Sequence, residues 1–475
     1  MNENNINKVL EEACLRWAGK HPDQLAKLPL SGSVRKYFRI RVSGTTIIGV
    51  YSDNPAENRA FLSFTKHFRD KGLNVPEILF EDLNNNVYLL EDLGDILLYD
   101  EVISRKKDTP IPGRLKRLYQ KTLDHLVRFQ VDGFDGLDLS VCVPRPAFDK
   151  QSVMWDLHYF KYYVLKLFNI PFDEQALEDE FNKLADYLTD QEYNFFLYRD
   201  FQSRNILVHK EDLYFVDYQG GRRGPLQYDL ASILFEAKTD LPPEVREELL
   251  DYYTGLISSR LQINGELFKG DYYHFVFVRI LQALAAYGLR GYVENKALFL
   301  ESYPYALRNL EWLLSANLLS LSLPETLGSL RKVLELKELR GYSRDESKLQ
   351  ISINSFSYKK GIPKDMSGHG GGFVFDCRAL PNPYRSEDLR NLTGRDDPVI
   401  QFMDDKVEVN DFMEHVCSVI GQAVSNYRSR GFNSLMVSFG CTGGQHRSVY
   451  CADRLARFIW KKHGVETQVV HRELS

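Results

Sequence analysis

The sequence predicts an α+β domain of two lobes, followed by a compact α/β domain with a mixed or parallel sheet. Three observations carry that prediction. The chain has 475 residues, and a single hydrophobic core stops growing near ~250–300 residues, so at least two domains are expected. Strand patterns fill much of the chain up to about residue 95, and helical patterns dominate from there to about residue 345. From 346 to 475 strand and helix alternate, which implies a largely parallel or mixed sheet.

The elements follow in order. An amphipathic helical pattern runs over residues 6–20. The β-rich runs KYFRIRV and TTIIGVY are joined by Ser43-Gly44, a hairpin signal, and the small-residue turn Ser31-Gly32-Ser33 precedes them. Pro55 opens the helical segment AENRAFLSFTKHFRDKG, which Gly72 can end. EILFED and VYLLEDL, separated by Asn84-Asn85-Asn86, form a second hairpin. Residues 113–190 read as mainly helical. FFLYRD, ILVHK and LYFVDY then read as short strands, before helices resume from Tyr228 to about Leu339. The charged run SLRKVLELKELRGYSRDESK leads into a polar linker, and the boundary falls near residue 345. Beyond it LQISINSFSYKKG and GGFVFDCRAL read as strands, EVNDFMEHVCSVIGQAVSNYRSRG as a helix and SLMVSFG as a buried strand. The helix SVYCADRLARFIWKKHG and the strand TQVVHREL complete the unit. The expected domains are 1–345, with lobes of about 1–95 and 96–345, and 346–475.

Composition narrows the class. Apolar residues make up 44% and charged residues 26%, an ordinary globular balance. The net charge of -5 offers no general attraction to nucleic acid, so RNA is a disfavoured partner that only a local basic patch would bring in. Cys14, Cys142, Cys377, Cys417, Cys441 and Cys451 lack C-x-x-C spacing, which argues against a structural zinc site or disulfide framework. The polar start MNENNINKVLEEACLRW lacks the apolar core expected of a signal peptide. No run approaches the roughly 20 apolar residues that span a bilayer; the longest candidate, Val276 to Leu289, is interrupted by Arg279. A soluble, cytoplasmic protein without membrane association is expected.

Residues 198–221, YRDFQSRNILVHKEDLYFVDYQGG, carry the first chemical cluster. Asp200 and Asn205 lie five positions apart on a loop between strands, and Asp217 ends the strand after it. Phosphoryl transfer needs a carboxylate near the attacking hydroxyl and oxygen ligands for magnesium. Asp200 can be the base or hydroxyl-positioning group, with Asn205 and Asp217 as metal ligands; each alone would read as a turn or cap residue. Their ordered combination resembles the catalytic and metal-binding segments of the protein-kinase-like superfamily, and more closely its aminoglycoside phosphotransferase and choline kinase branch.

That resemblance covers about residues 1–340 and implies a two-lobed kinase fold using ATP and Mg2+. It places the phosphate-covering loop at Ser31, Gly32 and Ser33, a helix glutamate at Glu57, and the adenine-pairing connection in YLLEDLGD, with Glu91 and Leu93. It also makes Asp229 a structural aspartate. Two positions differ from the family pattern. Tyr198 stands where a histidine is usual, and the strand expected to carry a phosphate-gripping lysine, IIGVYSDNP, has none. Lys36, Arg39 or Arg41 on the neighbouring strand are the candidate substitutes.

RKYFRI, VYLLEDLGD and VDYQGGRRGPLQYDLAS look most like bacterial anomeric sugar kinases of cell-wall recycling. That likeness implies N-acetylmuramate or N-acetylglucosamine as acceptor, phosphorylated at the anomeric hydroxyl. Arg222 and Arg223 follow Asp217 within six residues and suit an anionic acceptor group; the alternative is pairing with acids of the fold or with nucleotide phosphates. Asp156, with His158 and Tyr159 nearby, is a further acceptor candidate, although an aromatic-rich helix also reads as core.

Residues 435–448, LMVSFGCTGGQHRS, read as a strand, a Gly-rich loop and a helix start, an arrangement whose N–H groups cradle an anion. Cys441 and Arg447 have the C-x-x-x-x-x-R spacing of cysteine-dependent phosphatases, followed by Ser448. Together with FDCRALPNPY and the terminal HRELS, the string GCTGGQHRSVY resembles the C-terminal domain of the RNase adapter family RapZ over roughly residues 349–475. The resemblance implies binding, rather than hydrolysis, of a phosphorylated amino sugar or nucleotide sugar. It assigns contacts to His369, Asp376, Arg378, Asn382, Thr442, Gly443, Gly444, His446 and Arg447. No G-x-x-x-x-G-K-[ST] occurs, so the P-loop domain of that family has no counterpart in this sequence. Rival readings are a non-catalytic nucleotide or metabolite sensor or adapter, favoured by the missing lysine, and a cysteine-dependent phosphatase in the second domain.

Overall fold

Helix α1 (Glu3–Ala18) buries Ile6, Leu10, Ala13 and Cys14, the i, i+4, i+7, i+8 stripe of an amphipathic helix. That stripe packs on a five-stranded antiparallel sheet made of β1 (Gln24–Lys27), β2 (Lys36–Val42), β3 (Thr45–Tyr51), β4 (Ile78–Asp82) and β5 (Val87–Glu91). The strand order is β1-β2-β3-β5-β4. Ser43 and Gly44 both take left-handed backbone, φ 50° and 83°, as a two-residue hairpin turn requires. Gly49 on β3 lies so close to α1 that a Cβ would sit 2.9 Å from the Leu10 side chain. Helix α2 (Pro55–Asp70) starts at Asn54, whose side chain accepts the Glu57 N–H, and stops before Gly72 at φ 68°. Strand β1 lies outside the β-rich text because most of its residues are exposed; pairing with β2, not an apolar pattern, makes it a strand.

The computed structural model describes residues 3–28, 35–104, 111–190, 193–210, 212–294, 296–336, 339, 349–363, 365, 371–430, 432, 434–465 and 467–474. Two compact units emerge, residues 1–286 with 305–337, and residues 287–304 with 338–475. The polar linker expected near residue 345 lies outside the described residues.

After the sheet, the first unit continues with α3 (Leu98–Ser104), α4 (Gly113–Val131), α5 (Lys150–Phe160) and α6 (Glu174–Thr189). Four short strands follow: β6 (Phe195–Leu197), β7 (Ile206–His209), β8 (Asp212–Phe215) and β9 (Arg222–Gly224). They pair antiparallel as β6–β9 and β7–β8. Strand β9 falls on Arg222-Arg223-Gly224, where no apolar pattern announces it; its partner β6 creates it. Helix α7 (Leu226–Leu234) buries all its residues, Asp229 among them. Next come α8 (Pro243–Leu261), α9 (Gly265–Tyr287), α11 (Tyr303–Ser315) and α12 (Pro324–Glu335), with the single turn α10 (Ala297–Leu300), which falls between α9 and α11 in sequence, grouping with the second unit. No helix among the described residues is long and apolar enough to cross a membrane.

In the second unit β10 (Gln350–Ser357) and β11 (Phe373–Asp376) precede α13 (Asp397–Asp404) and α14 (Val407–Ser429). Strand β12 (Ser434–Cys441), α15 (Arg447–His463) and β13 (Thr467–His471) complete it. The sheet runs β11-β12-β10-β13 with every pair parallel. Its core joins Ile351, Ile353, Val437 and Phe439 of the sheet to Met413, Ile420, Leu455 and Ile459 of the helices.

Asp453 on α15 ties that helix to its surroundings, accepting from His471 Nε2 at 3.1 Å and Arg395 Nε at 2.9 Å. Burial raises the Asp453 carboxyl, but these hydrogen bonds and charges outweigh it and hold the group at about 2. The folded value lies below the unfolded one, so this stabilisation is full above about pH 4 and is lost as the pH falls through about 2. Asp453→Asn is expected to cost on the order of 2 kcal/mol near neutral pH and to flatten the acid limb. Urea midpoints measured from neutral pH down to about pH 2 check this.

Candidate functional site

The first site is built on α7. Asp229 is fully buried and accepts the Tyr198 N–H at 2.7 Å and the Arg199 N–H at 2.9 Å, one on each carboxylate oxygen. Burial pushes its carboxyl up to about 7, against these two donors, which favour the charged form. Arg199 takes left-handed backbone at φ 80°, a conformation that a non-glycine residue adopts at a cost and keeps only when the surroundings hold it. Its side chain is held as well: Nη1 and Nη2 donate to the two oxygens of Asp156 at 2.9 and 2.6 Å, and the guanidinium lies over the Tyr228 ring. Asp200 follows directly.

Asn205 closes the loop. Its Nδ2 donates to the Asp200 carbonyl at 2.8 Å and lies 3.4 Å from Asp217 Oδ2. The Val216 N–H bonds to the Asn205 carbonyl, and the Tyr198 hydroxyl donates to the Val216 carbonyl at 2.6 Å. Tyr198, where a histidine was the usual residue, thus ties the loop to the segment that carries Asp217. Asp217 is left-handed as well, φ 71°, and accepts from Gln219 Nε2 at 2.7 Å. Burial and the neighbouring Asp217 push the Asp200 carboxyl above its ordinary value, against the pull of Arg199, Arg279 and Arg222. Hard oxygen ligands suit magnesium, which takes one or two carboxylates and keeps waters and phosphate oxygens. With its Nδ2 committed to the Asp200 carbonyl, Asn205 has its other amide atom, Oδ1, to offer beside the Asp217 carboxylate, so the donor set fits.

Arg35, just before β2, was not singled out in the sequence. Its side chain is 1% exposed; Nη2 lies 3.3 Å from Glu57 Oε2 and Nη1 lies 3.8 Å from Asp217 Oδ1. Arg39 lies elsewhere, shared between Asp92 at 2.7 Å and Asp95 at 2.7 Å. The connection between the lobes is anchored further by His209, which donates to the Leu93 carbonyl, while Glu91 accepts the Glu77 N–H on its side chain. Ser31, Gly32 and Ser33 lie outside the described residues.

Of the residues expected at the acceptor, Asp156 is paired with Arg199. Arg222 is buried and donates to the Gly220 and Val143 carbonyls at 2.9 and 3.1 Å, with no ion-pair partner among the described residues. Burial and the adjacent Arg199 push its guanidinium down. Arg223 is half-buried on β9, its backbone bonded to Pro146 and Phe148. His158 pairs with Glu178 instead of facing this group. Arg279, seen in the sequence only as an interruption of an apolar run, is buried and donates to Tyr228 and Ser232. A lone arginine in an apolar helix was the signal that could have found it.

The second site, in the second unit, lies where β12 ends and α15 begins. Gly444, at φ 72°, turns its N–H onto Cys441 Sγ at 3.2 Å, and Ser448 Oγ lies 3.2 Å from the same sulfur. Arg447 is buried and its Nη1 donates to the Arg378 and Leu380 carbonyls at 2.8 and 3.0 Å; its Nε has no hydrogen-bond partner among the described residues. That anchor brings the Asp376–Arg378 ion pair, 2.6 Å, beside the loop, with the Arg378 guanidinium over the Tyr358 ring. Thr442 and Gly443 are exposed. His446 Nε2 donates to the Leu389 carbonyl at 3.1 Å, and Asn382 precedes the helical turn Pro383–Arg385. His369 lies outside the described residues.

Asp229→Asn is expected to leave one of the two N–H groups poorly met and to cost about 1–3 kcal/mol. A lower urea midpoint at unchanged slope would report it.

Comparisons with known proteins divide along the same lines. Residues 26–262 match the phosphotransferase enzyme family, and residues 349–475 match the RapZ C-terminal domain. A nucleotide-binding protein of Glaesserella parasuis is 39% identical over 141 residues, covering 30% of this chain and 47% of the relative. One of Saccharophagus degradans is 38% identical over 148 residues, covering 30% and 49%. The chain thus spans about half the length of the curated relatives it matches. The structure of choline kinase LicA from Streptococcus pneumoniae is similar at 15% identity and TM-score 0.44, covering 65% of this chain and 99% of that one. The chain therefore carries a domain of the phosphotransferase enzyme family joined to a RapZ C-terminal domain.

Proposed function

We propose that residues 1–345 form an ATP- and Mg2+-dependent phosphotransferase acting on a hydroxyl of an amino sugar, N-acetylmuramate or N-acetylglucosamine, at the anomeric position. The observation that carries the reading is the convergence of Asp200, Asn205 and Asp217 on one rigid loop system. Asp200 orients the acceptor hydroxyl and takes its proton as the phosphoryl group moves; its raised carboxyl is a better proton acceptor than an exposed aspartate. Asn205 and Asp217 hold the metal, which supplies charge neutralisation for the nucleotide phosphates. Asp229 and Asp156 do no chemistry; they keep Arg199 in its left-handed backbone, and so fix where Asp200 points. The buried Arg222, with no carboxylate partner among the described residues, favours an acceptor with an anionic group over a cationic one such as choline.

For residues 346–475 we infer binding of a phosphorylated amino sugar or nucleotide sugar at the 441–447 loop. The turn and the start of α15 direct N–H groups at an anion, and Arg447 and Arg378 add positive charge. The spacing of Cys441 and Arg447 also admits a thiol phosphatase. Binding is favoured because Nη1 of Arg447 is engaged by the 378 and 380 carbonyls.

ATP consumption with magnesium across N-acetylmuramate, N-acetylglucosamine, glucosamine, choline and an aminoglycoside tests the first reading. Turnover on an amino sugar, reduced at least about a thousandfold by Asp200→Ala, is expected. ATP binding without turnover on any acceptor would favour a sensor instead. For the second unit, titration with glucosamine phosphate should show binding that survives Cys441→Ser, with no phosphate released. Release that Cys441→Ser abolishes would install the phosphatase.

A further inference from the structure

Strand β3 ends without a basic residue; the text from Thr45 to Pro55 contains no lysine or arginine. A nucleotide bound against this sheet would find no cation on β3 for its phosphates. The neighbouring strand has several. Lys36 has its ammonium over the Tyr51 ring, Arg39 is shared by Asp92 and Asp95, and Arg41 is exposed. None of these three is paired with the residues of the site.

Arg35 is. It lies one position before β2, and since Lys36 faces Tyr51 in the antiparallel register, it stands at the level where β3 ends. Its guanidinium reaches Glu57 in the first turn of α2 and Asp217 across the lobes, with the Phe61 ring 5.7 Å away. Burying a guanidinium this completely is tolerated only with carboxylates near it, and the two that serve are the helix glutamate and the candidate metal ligand. The 3.8 Å separation from Asp217 is too long for a hydrogen bond. It is a charge contact without a hydrogen bond, one that a phosphate oxygen binding here would replace.

We propose that Arg35 is the phosphate-binding cation of the nucleotide site, supplied from the start of β2 where β3 has no lysine. The proposal rests on the phosphotransferase reading above and removes the main support for a non-catalytic sensor. The planar fork of a guanidinium suits this role, because one nitrogen stays on Glu57 while the opposite edge donates to phosphate oxygens. Glu57 then acts as a positioning residue, holding Arg35 toward Asp217.

The test is nucleotide binding by calorimetry on the full chain, comparing ATP, ADP and adenosine with magnesium present. Arg35→Gln should weaken ATP and ADP binding about 10–100-fold and leave adenosine within about twofold. Arg35→Lys should recover part of the ATP affinity. Glu57→Gln should lower ATP affinity less than Arg35→Gln does. Equal losses for ATP and adenosine would mark a merely structural role, and unchanged ATP affinity would remove Arg35 from the site; either result overturns the proposal. Should Arg35→Gln fail to fold, Arg35→Lys alone decides by its ATP-to-adenosine ratio. If the unmodified chain binds no ATP, the phosphotransferase reading falls and Arg35 with it.

Discussion

The 198–205 loop of the first unit hangs on one buried carboxylate. Asp229, inside a helix with no exposed residue, receives the N–H groups of Tyr198 and Arg199 on its two oxygens. Those two bonds hold Arg199 in left-handed backbone, and that turn sends its side chain to Asp156 while Asp200 continues toward Asn205 and Asp217. A carboxylate so deeply buried is tolerated because both oxygens are satisfied by directed donors. The strain at Arg199 is therefore offset inside the scaffold and not by the ligand.

Charge balance around that loop gives the cleft two characters. At one edge of it, Asp217 and Glu57 face Arg35. Elsewhere around the loop, Arg199 is paired with Asp156, and among the described residues Arg222 and Arg279 donate to carbonyls, hydroxyls and an amide oxygen. The same three arginines counter the upward push on Asp200 that burial and Asp217 exert. One cluster of arginines thus sets the charge balance around Asp200.

The second unit uses a different device. A parallel sheet aims strand ends at helix starts, and β12 delivers Cys441, the glycine loop and α15 in direct succession. Arg447 is anchored to the backbone of residues 378 and 380, which ties the two halves of the loop site together. Asp453 does the same on the sheet side of α15, drawing in His471 of β13.

The sequence by itself determined the residues of chemistry and the local elements that present them. The Ser43-Gly44 hairpin, the Pro55 helix start, the spacing of Asp200, Asn205 and Asp217, and the strand–glycine–helix text around Cys441 are short-range patterns. Backbone sterics and periodicity write such patterns into neighbouring residues. The tertiary structure decided what depends on partners far along the chain. Strands β1 and β9 exist because β2 and β6 pair with them. Arg35 and Arg279 became site residues only when Asp217, Glu57 and Tyr228 were folded against them. Arg39, a plausible cation in the text, was taken by Asp92 and Asp95. A buried charge must find its counter-charge or donor wherever the fold brings one, and that search has no range limit along the sequence.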